Sequence, residues 1–250
     1  AHASNLGLLL ADELAREAGC EAYIYDAVSA GFLPEVASIT GMKEIKRKSL
    51  SHVLNSRAQS IEYATKIGKK FSDLNIIVAH LGGGISLSIY EQGILKDSIG
   101  DDMGPFSPER SGAIPLMDFV NEFYGSEITK AELKKKIRGG GGLTSHLNTT
   151  NIGEVEEKIK NGDKEAETIL NAMCYNVAKY IGSLSVVTKG KVDTIILTGG
   201  IANSAYVTER ICEMIEFIAN VVIMPGEYEL EALAGGCYRI LIGEEEAKEY

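Results

Sequence analysis

Three short apolar segments follow one another near the middle of this chain and are separated only by glycine-containing turns. They cover residues 75–79, 85–90 and 94–99. The first turn contains Gly82, Gly83 and Gly84, and the second ends at Gly93. Turns this short join antiparallel neighbours, because a parallel connection needs a crossover of about a dozen residues or more. The sequence therefore predicts three consecutive antiparallel strands.

The residues before these strands predict two helices with a strand between them. Leucines recur at helical spacing from Leu6 until Gly19 ends the pattern. A short strand is predicted over 21–28, with Asp26 at its carboxyl end, where α/β sheets collect their ligands. A second helix is predicted over 51–69, with a buried face formed by Val53, Leu54, Ile61, Ala64 and Ile67.

After the three strands, helical patterns dominate residues 115–188, and the longest covers 165–187. An apolar strand is predicted over 193–197, another over 220–224, and a final helix over 229–242. Strands and helices that alternate in this way form a parallel unit. The chain is therefore predicted to belong to the α/β class.

The composition limits the partners that this chain can have. Its 250 residues include 35 acidic and 25 basic side chains, which gives a net charge of −10. Such a charge repels nucleic acid and anionic lipid, so neither is expected as a partner. No apolar run reaches the roughly 18 to 20 residues of a membrane helix, and a cytoplasmic location is expected. Neither a disulfide framework nor a zinc site is indicated by the widely spaced Cys20, Cys174, Cys212 and Cys237.

The most specific motif combines an arginine with stiffening prolines. Residues 104–112 read Gly-Pro-Phe-Ser-Pro-Glu-Arg-Ser-Gly. The glycines at 82–84 let backbone N–H groups approach phosphate oxygens, and the Arg110 guanidinium can bind a carboxylate or phosphoryl group with two hydrogen bonds. A surface salt bridge between Arg110 and Glu109 is the plainer alternative, but it does not account for a loop with two prolines and two glycines. The pattern favours phosphoryl transfer with an anionic substrate.

This loop resembles the signature loop of the butyrate kinase branch of the acetokinase family, within the actin and hexokinase superfamily. Further matching motifs occur along the whole chain, at residues 2–7, 25–28, 47 with 51–52, 80–84, 198–201 and 225–230. The resemblance implies an α/β, ribonuclease-H-like architecture of the actin/hexokinase type with two domains, the first of them incomplete.

The resemblance also implies domain boundaries. Residues 1–70 are expected to be the remainder of the first ribonuclease-H-like domain, 71–228 the second, nucleotide-binding domain, and 229–250 a C-terminal helix that returns toward the first. Only one set of three opening strands is visible in the sequence. The first domain's opening strands, with the family's Asn-Pro-Gly-Ser-Thr phosphate motif, are therefore expected to be missing, through processing or truncation or because another chain carries them.

Roles for individual residues follow from the same resemblance. Arg110 is expected to bind the substrate carboxylate or the phosphoryl in transfer, His52 to lie near the phosphoryl path, and Asp26 to orient the acyl substrate or a metal-bound water. The nucleotide is expected to contact His80, Gly82, Gly83, Gly84, Thr198, Gly199, Gly200, Ile201 and Asn203. Magnesium is expected at Glu229 together with Asp26, and the neighbouring Glu227 and Glu231 remain alternatives to Glu229.

Several of these residues also have a structural explanation. His80 could merely brace the glycine turn, and His52 could cap the helix that it opens. The glycines at 82–84 could form an ordinary tight turn. The four-glycine run 139–142 either matches another family loop or is a flexible connector. His2 and His146 are expected to be structural.

The implied activity is direct, reversible phosphoryl transfer between ATP and a short-chain fatty acid, which gives ADP and an acyl phosphate, with butanoate as the expected substrate and Mg²⁺ as the cofactor. A kinase for acetate or a branched-chain fatty acid is the nearest enzymatic alternative. An alternative of another class is a non-catalytic nucleotide-binding half that needs a missing domain or partner chain. Because family members pair through the second domain, a homodimer is expected.

Overall fold

The computed structural model describes residues 6–27, 33–100 and 102–247. In this part of the chain the strands are β1 (Asn75–Leu81), β2 (Ile85–Glu91), β3 (Ile94–Ile99), β4 (Thr194–Gly199) and β5 (Asn220–Pro225). The helices are α1 (Leu6–Ala18), α2 (Glu35–Ser38), α3 (Val53–Lys66), α4 (Leu116–Phe123), α5 (Lys130–Ile137), α6 (Leu143–Leu147), α7 (Ile152–Lys160), α8 (Lys164–Ser185), α9 (Ala205–Ile215) and α10 (Glu229–Leu241).

The strands form one five-stranded sheet in the order β3-β2-β1-β4-β5. β1, β2 and β3 pair antiparallel, whereas β4 pairs parallel to β1 and β5 pairs parallel to β4. The predicted antiparallel strands and the predicted parallel unit are both confirmed. The carboxyl ends of β1 and β4 therefore lie side by side, and the glycine turns that follow them are neighbours.

One face of the sheet is apolar along its central strands and carries the main core. Ile77, Leu87 and Ile195 are fully buried on this face, which α8 and α9 cover. Burial of one such side chain stabilises the fold by about 1.5–3 kcal/mol relative to leaving it exposed. The helices contribute Leu170, Met173, Val177, Ile181, Val207 and Ile211 to this core.

The opposite face is apolar at one end and polar at the other. Ile76, Val78 and Ile196 pack with Ala64 of α3 at the apolar end. At the other end, Ser86, His80 and Thr198 lie opposite one another on β2, β1 and β4. Residues directly opposite on paired strands share a face. A row of polar side chains therefore crosses three strands beside the glycine turns.

Helix α3 covers this second face with polar side chains. Its buried residues include Asn55, Ser56, Gln59 and Ser60. The predicted apolar face is correct for Val53 and Ala64, Leu54 and Ile61 are only partly buried, and the prediction is wrong for Ile67, which is exposed. Hydrophobic periodicity assumes an apolar neighbour, whereas this helix packs against a sheet surface that is itself polar.

Residues 21–27 do not form the predicted strand. A strand needs a hydrogen-bonded neighbour, and in the described part of the chain no strand pairs with this segment. Side chains hold it instead. The Tyr25 ring lies against Gly236 of α10, where a Cβ would come within 2.6 Å of the ring, and Tyr25 Oη accepts a hydrogen bond of 2.7 Å from Arg239 Nη2. α10 in turn packs on α3.

No helix in the described residues is long and apolar enough to cross a membrane.

Candidate active site

The turn between β1 and β2 is shaped by three glycines whose missing side chains leave room for neighbouring groups. A Cβ on Gly82 would lie 3.1 Å from His80 Nε2, one on Gly83 would lie 3.3 Å from Glu109 Oε1, and one on Gly84 would lie 2.7 Å from Arg110 Cζ. The Gly84 distance is shorter than real Cβ atoms show, and the other two are tighter than most real Cβ contacts. The glycines thus allow a histidine, a carboxylate and a guanidinium to approach one short stretch of backbone.

The loop at 104–112 is hydrogen-bonded directly to this turn. Ser107 Oγ donates to Gly83 O at 2.6 Å, and Glu109 N–H donates to the same carbonyl at 3.4 Å. The loop also closes on itself, because Ser107 N–H donates to Arg110 O at 3.0 Å. These bonds hold Arg110 so that its guanidinium lies over Gly84.

The four-glycine run packs tightly behind this loop. Gly139 N–H donates to Glu109 O at 2.6 Å, and Leu143 N–H donates to Ser107 O at 3.2 Å. Gly142 has a φ of +61°, and a Cβ on it would lie 1.7 Å from Ser107 O. Of the two sequence-based interpretations, a flexible connector is therefore excluded. The run supports the loop at 104–112, the arginine loop.

His52 and His80 stack on each other beside the glycine turn. Their ring centroids are 3.9 Å apart and their planes differ by 15°. His52 is the residue immediately before α3, and its side chain makes no capping bond to the helix. Its Nδ1 lies 2.8 Å from Ser86 Oγ instead, so the capping explanation is not supported.

His80 is only 2% exposed, and burial lowers its pKa to about 4. The ring is therefore neutral at pH 7. Its Nε2 lies 3.3 Å from Glu227 Oε1, on the side of the ring that faces Gly82.

The turn after β4 runs beside the glycine turn. Gly199 has a φ of +88°, and a Cβ on it would lie 2.4 Å from Leu81 O. Gly199 also exchanges two backbone hydrogen bonds with Gly226, and Thr198 Oγ1 donates to Gly226 O at 3.2 Å. Around Gly200, in contrast, a Cβ would meet open space. Asn203 Nδ2 donates to Gly200 O at 3.0 Å, and Ile201 packs against the main core. The turn thus leaves open space around Gly200, and the hydrogen bonds and core contacts of the neighbouring residues hold this open ledge in place.

The acidic residues proposed for a metal differ in their surroundings. Glu227 is half exposed beside His80 and Gly82, whereas Glu229 is exposed at the start of α10. Asp26 has a φ of +45° and pairs with Arg57 Nη1 at 3.2 Å, and burial raises the pKa of Asp26 in spite of that arginine. The described residues contain no cluster of three or more histidine, cysteine or carboxylate side chains that could hold a metal.

The structure therefore brings together most of the residues that the sequence singles out, namely His52, His80, Gly82, Gly83, Gly84, Arg110, Thr198, Gly199 and Gly200. Asp26 is not among them, and its side chain pairs with Arg57 instead. His146 lies near Phe106 of the arginine loop, with ring centroids 6.2 Å apart, and His2 is outside the described residues.

Sequence reasoning missed Asn55 and Ser86, which contact the two histidines at 2.8 Å. Asn55 is a polar residue in the first turns of a predicted helix. It could have been singled out for that reason, but the buried face of this helix was predicted from apolar residues alone.

Comparison with known proteins shows the family of this chain. The profile of the Acetokinase family matches residues 47–227. Butyrate kinase 1 of Clostridium acetobutylicum is 48% identical over 251 residues, which cover 100% of this chain and 71% of that protein.

Two solved structures have the same fold. The acetate kinase of Porphyromonas gingivalis superimposes with a TM-score of 0.76 at 22% identity. The match covers 86% of this chain and 63% of the acetate kinase chain. A propionate kinase of Francisella tularensis subsp. tularensis gives a TM-score of 0.75 at 19% identity. This match covers 90% of this chain and 66% of the propionate kinase chain. The ribonuclease-H-like, actin/hexokinase-type fold expected from the sequence is confirmed.

Proposed function

This chain belongs to the acetokinase family of carboxylate kinases, and we propose that its site transfers a phosphoryl group between ATP and a short-chain fatty acid, with butanoate as the leading substrate. The observation that carries the proposal is the position of the Arg110 guanidinium directly over Gly84, in a loop bonded to the glycine turn. A cation fixed beside a phosphate-sized turn suits an acceptor carboxylate and the phosphoryl that it receives.

The nucleotide is proposed to lie across the two adjacent glycine turns. Gly82, Gly83 and Gly84 present backbone to the phosphates, and the open ledge at Gly200 receives the adenosine. Thr198, Gly199, Ile201 and Asn203 hold that ledge in place. His80 adds a neutral ring at the edge of the phosphate site.

Phosphoryl transfer depends on positioning and on charge stabilisation more than on covalent help. Arg110 and His52 are proposed to neutralise the charge that spreads over the transferring group, and the acyl carboxylate attacks the γ-phosphorus in line. The P–O bond to ADP breaks as the bond to the acyl oxygen forms, so no enzyme-bound intermediate is required. Asp26 remains a proposed orienting residue for the acyl substrate, from its cluster with Arg57.

The residues present fit a magnesium ion that is bound mainly by the nucleotide. Mg²⁺ keeps several waters and usually takes one or two protein carboxylates together with phosphate oxygens. Glu227 is half exposed beside the proposed phosphate site, and we therefore favour it over Glu229 and Glu231, with Asp26 as the second candidate. When bound, the ion would offset the charge of the phosphate oxygens.

The domain boundaries also remain a proposal, with 71–228 as the nucleotide-binding unit and 1–70 joined to 229–250. The contacts of Tyr25 with Gly236 and Arg239 support the second association. We further propose a cytoplasmic homodimer. Light scattering should then give about twice the chain mass of 26.9 kDa, and a mass of one chain at all concentrations would count against the dimer.

The test of the function is acyl phosphate formation from ATP and butanoate, trapped as the hydroxamate. Arg110→Ala should lower the rate about 10²–10³-fold, the typical cost of one transition-state donor. Arg16→Ala, in an exposed pair with Asp12, should leave it unchanged. Parallel assays with acetate and branched acids decide chain preference. No product from the unaltered chain would favour the alternative of a nucleotide-binding half that needs a partner chain.

A further inference from the structure

Asn55 lies between α3 and the sheet, in contact with two residues of the proposed site. It is 1% exposed, and its Nδ2 lies 2.8 Å from His80 Nδ1 and 3.5 Å from Thr198 Oγ1. Asn55 Oδ1 has no hydrogen-bond partner. An amide group can present either a donor or an acceptor, so its neighbours decide which end faces His80.

Thr198 decides the orientation of this amide. Its hydroxyl hydrogen is committed to Gly226 O at 3.2 Å. The hydroxyl oxygen can then only accept from Asn55, and this requires the amide nitrogen on that side. The same nitrogen therefore donates to His80.

The consequence for His80 is a single tautomer. A ring nitrogen that accepts a hydrogen bond carries no proton, so the proton of a neutral ring must be on the other nitrogen. That nitrogen, Nε2, is the one that faces Gly82 and Glu227 Oε1. The His80 ring also stacks on His52 with ring centroids 3.9 Å apart, which fixes the plane of the ring.

We propose that Asn55 is a positioning residue that holds His80 in its Nε2–H tautomer, so that the ring donates a hydrogen bond toward the glycine turn. This inference rests on the proposed function for its ligand, a phosphate oxygen of the nucleotide. The other tautomer would direct a lone pair at that oxygen and would repel it.

The tautomer is measured by long-range ¹⁵N–¹H correlation spectra of the full ¹⁵N-labelled chain, with His80→Gln to assign the signals. The unaltered chain should show Nε2–H. In Asn55→Asp, the carboxylate can only accept, so His80 should take a proton on Nδ1. Asn176→Asp is the matched control, because Asn176 donates to Ala172 O within α8, and it should leave the His80 signals unchanged.

Asn55→Leu removes the partner of His80 without adding a charge. It should weaken ADP binding, measured by calorimetry, about tenfold, the usual effect of losing one hydrogen bond to a charged group. A merely structural asparagine would change stability but not the tautomer.

An Nδ1–H tautomer in the unaltered chain, or an unchanged tautomer in Asn55→Asp, would overturn the inference. This spectrum decides the role of Asn55 whether or not the chain forms acyl phosphate. A failure of the proposed function would appear separately, as absent product with the Nε2–H tautomer intact.

Discussion

Gly84 carries no side chain, and the Arg110 guanidinium fills the space beside it. A Cβ on Gly84 would lie 2.7 Å from Arg110 Cζ and 2.8 Å from Nη1. The atoms that would have to move belong to the end of a flexible side chain, so relief is inexpensive for the fold. The same movement of the guanidinium should be costly for the reaction rate, because a displacement of about 1 Å at a reacting centre can lower a rate about 10²-fold.

Gly84→Ala should therefore separate activity from stability. We expect hydroxamate formation to fall about 10²-fold while the melting temperature changes by only a few degrees. The control is Gly182→Ala, within α8, where a Cβ meets nothing within 4 Å. It should keep activity and stabilise the helix by about 0.5–1 kcal/mol. Full activity in Gly84→Ala would contradict the assigned position of Arg110.

His80 makes stability depend on pH. Burial holds its folded-state pKa at about 4, whereas the pKa of an unperturbed histidine is 6.5. Between these values the unfolded chain binds more protons, so stability is complete above pH 6.5 and falls as the pH drops toward 4. We expect a loss of up to about 3 kcal/mol, reduced by the nearby Glu227, in urea unfolding at each pH. His80→Gln should flatten this slope, and an equally steep slope would exclude His80 as its source.

At the scale of elements, the arginine loop owes its shape to the segment before α6. Backbone bonds from Gly139 and Leu143 hold Glu109 and Ser107, and Gly142 allows the two backbones to approach closely. The proposed active site is therefore a loop supported by a second loop, beside the sheet edge at which β1 and β4 end.

Gly142→Ala should damage this support. Its Cβ would lie 1.7 Å from Ser107 O, and the φ of +61° adds strain. We expect a loss of about 2–4 kcal/mol in urea unfolding, together with loss of activity. Gly139→Ala has a positive φ of +106° but no heavy atom nearer than 3.9 Å, so it measures the conformational strain alone, about 1 kcal/mol. Equal losses in the two variants would show that the close contact contributes nothing.

At the scale of the whole molecule, one cluster of charges ties three distant segments together. Arg57 of α3 contacts Asp26 and Glu245 at 3.2 Å each, and it also donates to Tyr25. Arg239 of α10 donates to Glu245 at 2.7 Å. These contacts join residues 25–26, α3, α10 and Glu245, and they take the place of the strand predicted over 21–28.

Arg57→Gln should loosen that connection. The cluster is largely buried, and removal of Arg57 leaves Asp26 without its counter-charge, whereas Glu245 keeps Arg239. We expect a loss of about 1–3 kcal/mol in urea unfolding. Arg16→Gln, in an exposed pair with Asp12, should cost no more than about 0.5 kcal/mol. A similar small loss for Arg57→Gln would mean that other contacts hold residues 25–26.

Local patterns in the sequence determined much of this protein. Alternating or continuous apolar residues located all five strands and the long helices, and the loop at 104–112 indicated the family, which the comparisons confirm. Such features depend on neighbours in the chain, so they can be read without the fold. The same holds for the turn between β1 and β2, because a connection this short can join only antiparallel strands.

Only the tertiary structure decided which side chains meet. It placed Glu227 rather than Glu229 beside His80, and it turned the polar side of α3 inward. It also showed that the run 139–142 is a brace and that residues 21–27 are held by side chains. Each of these outcomes depends on groups distant in the sequence, such as Ser107 behind Gly142. Periodicity describes one element at a time, whereas the burial of a polar group is settled by the partner that it finds across the fold.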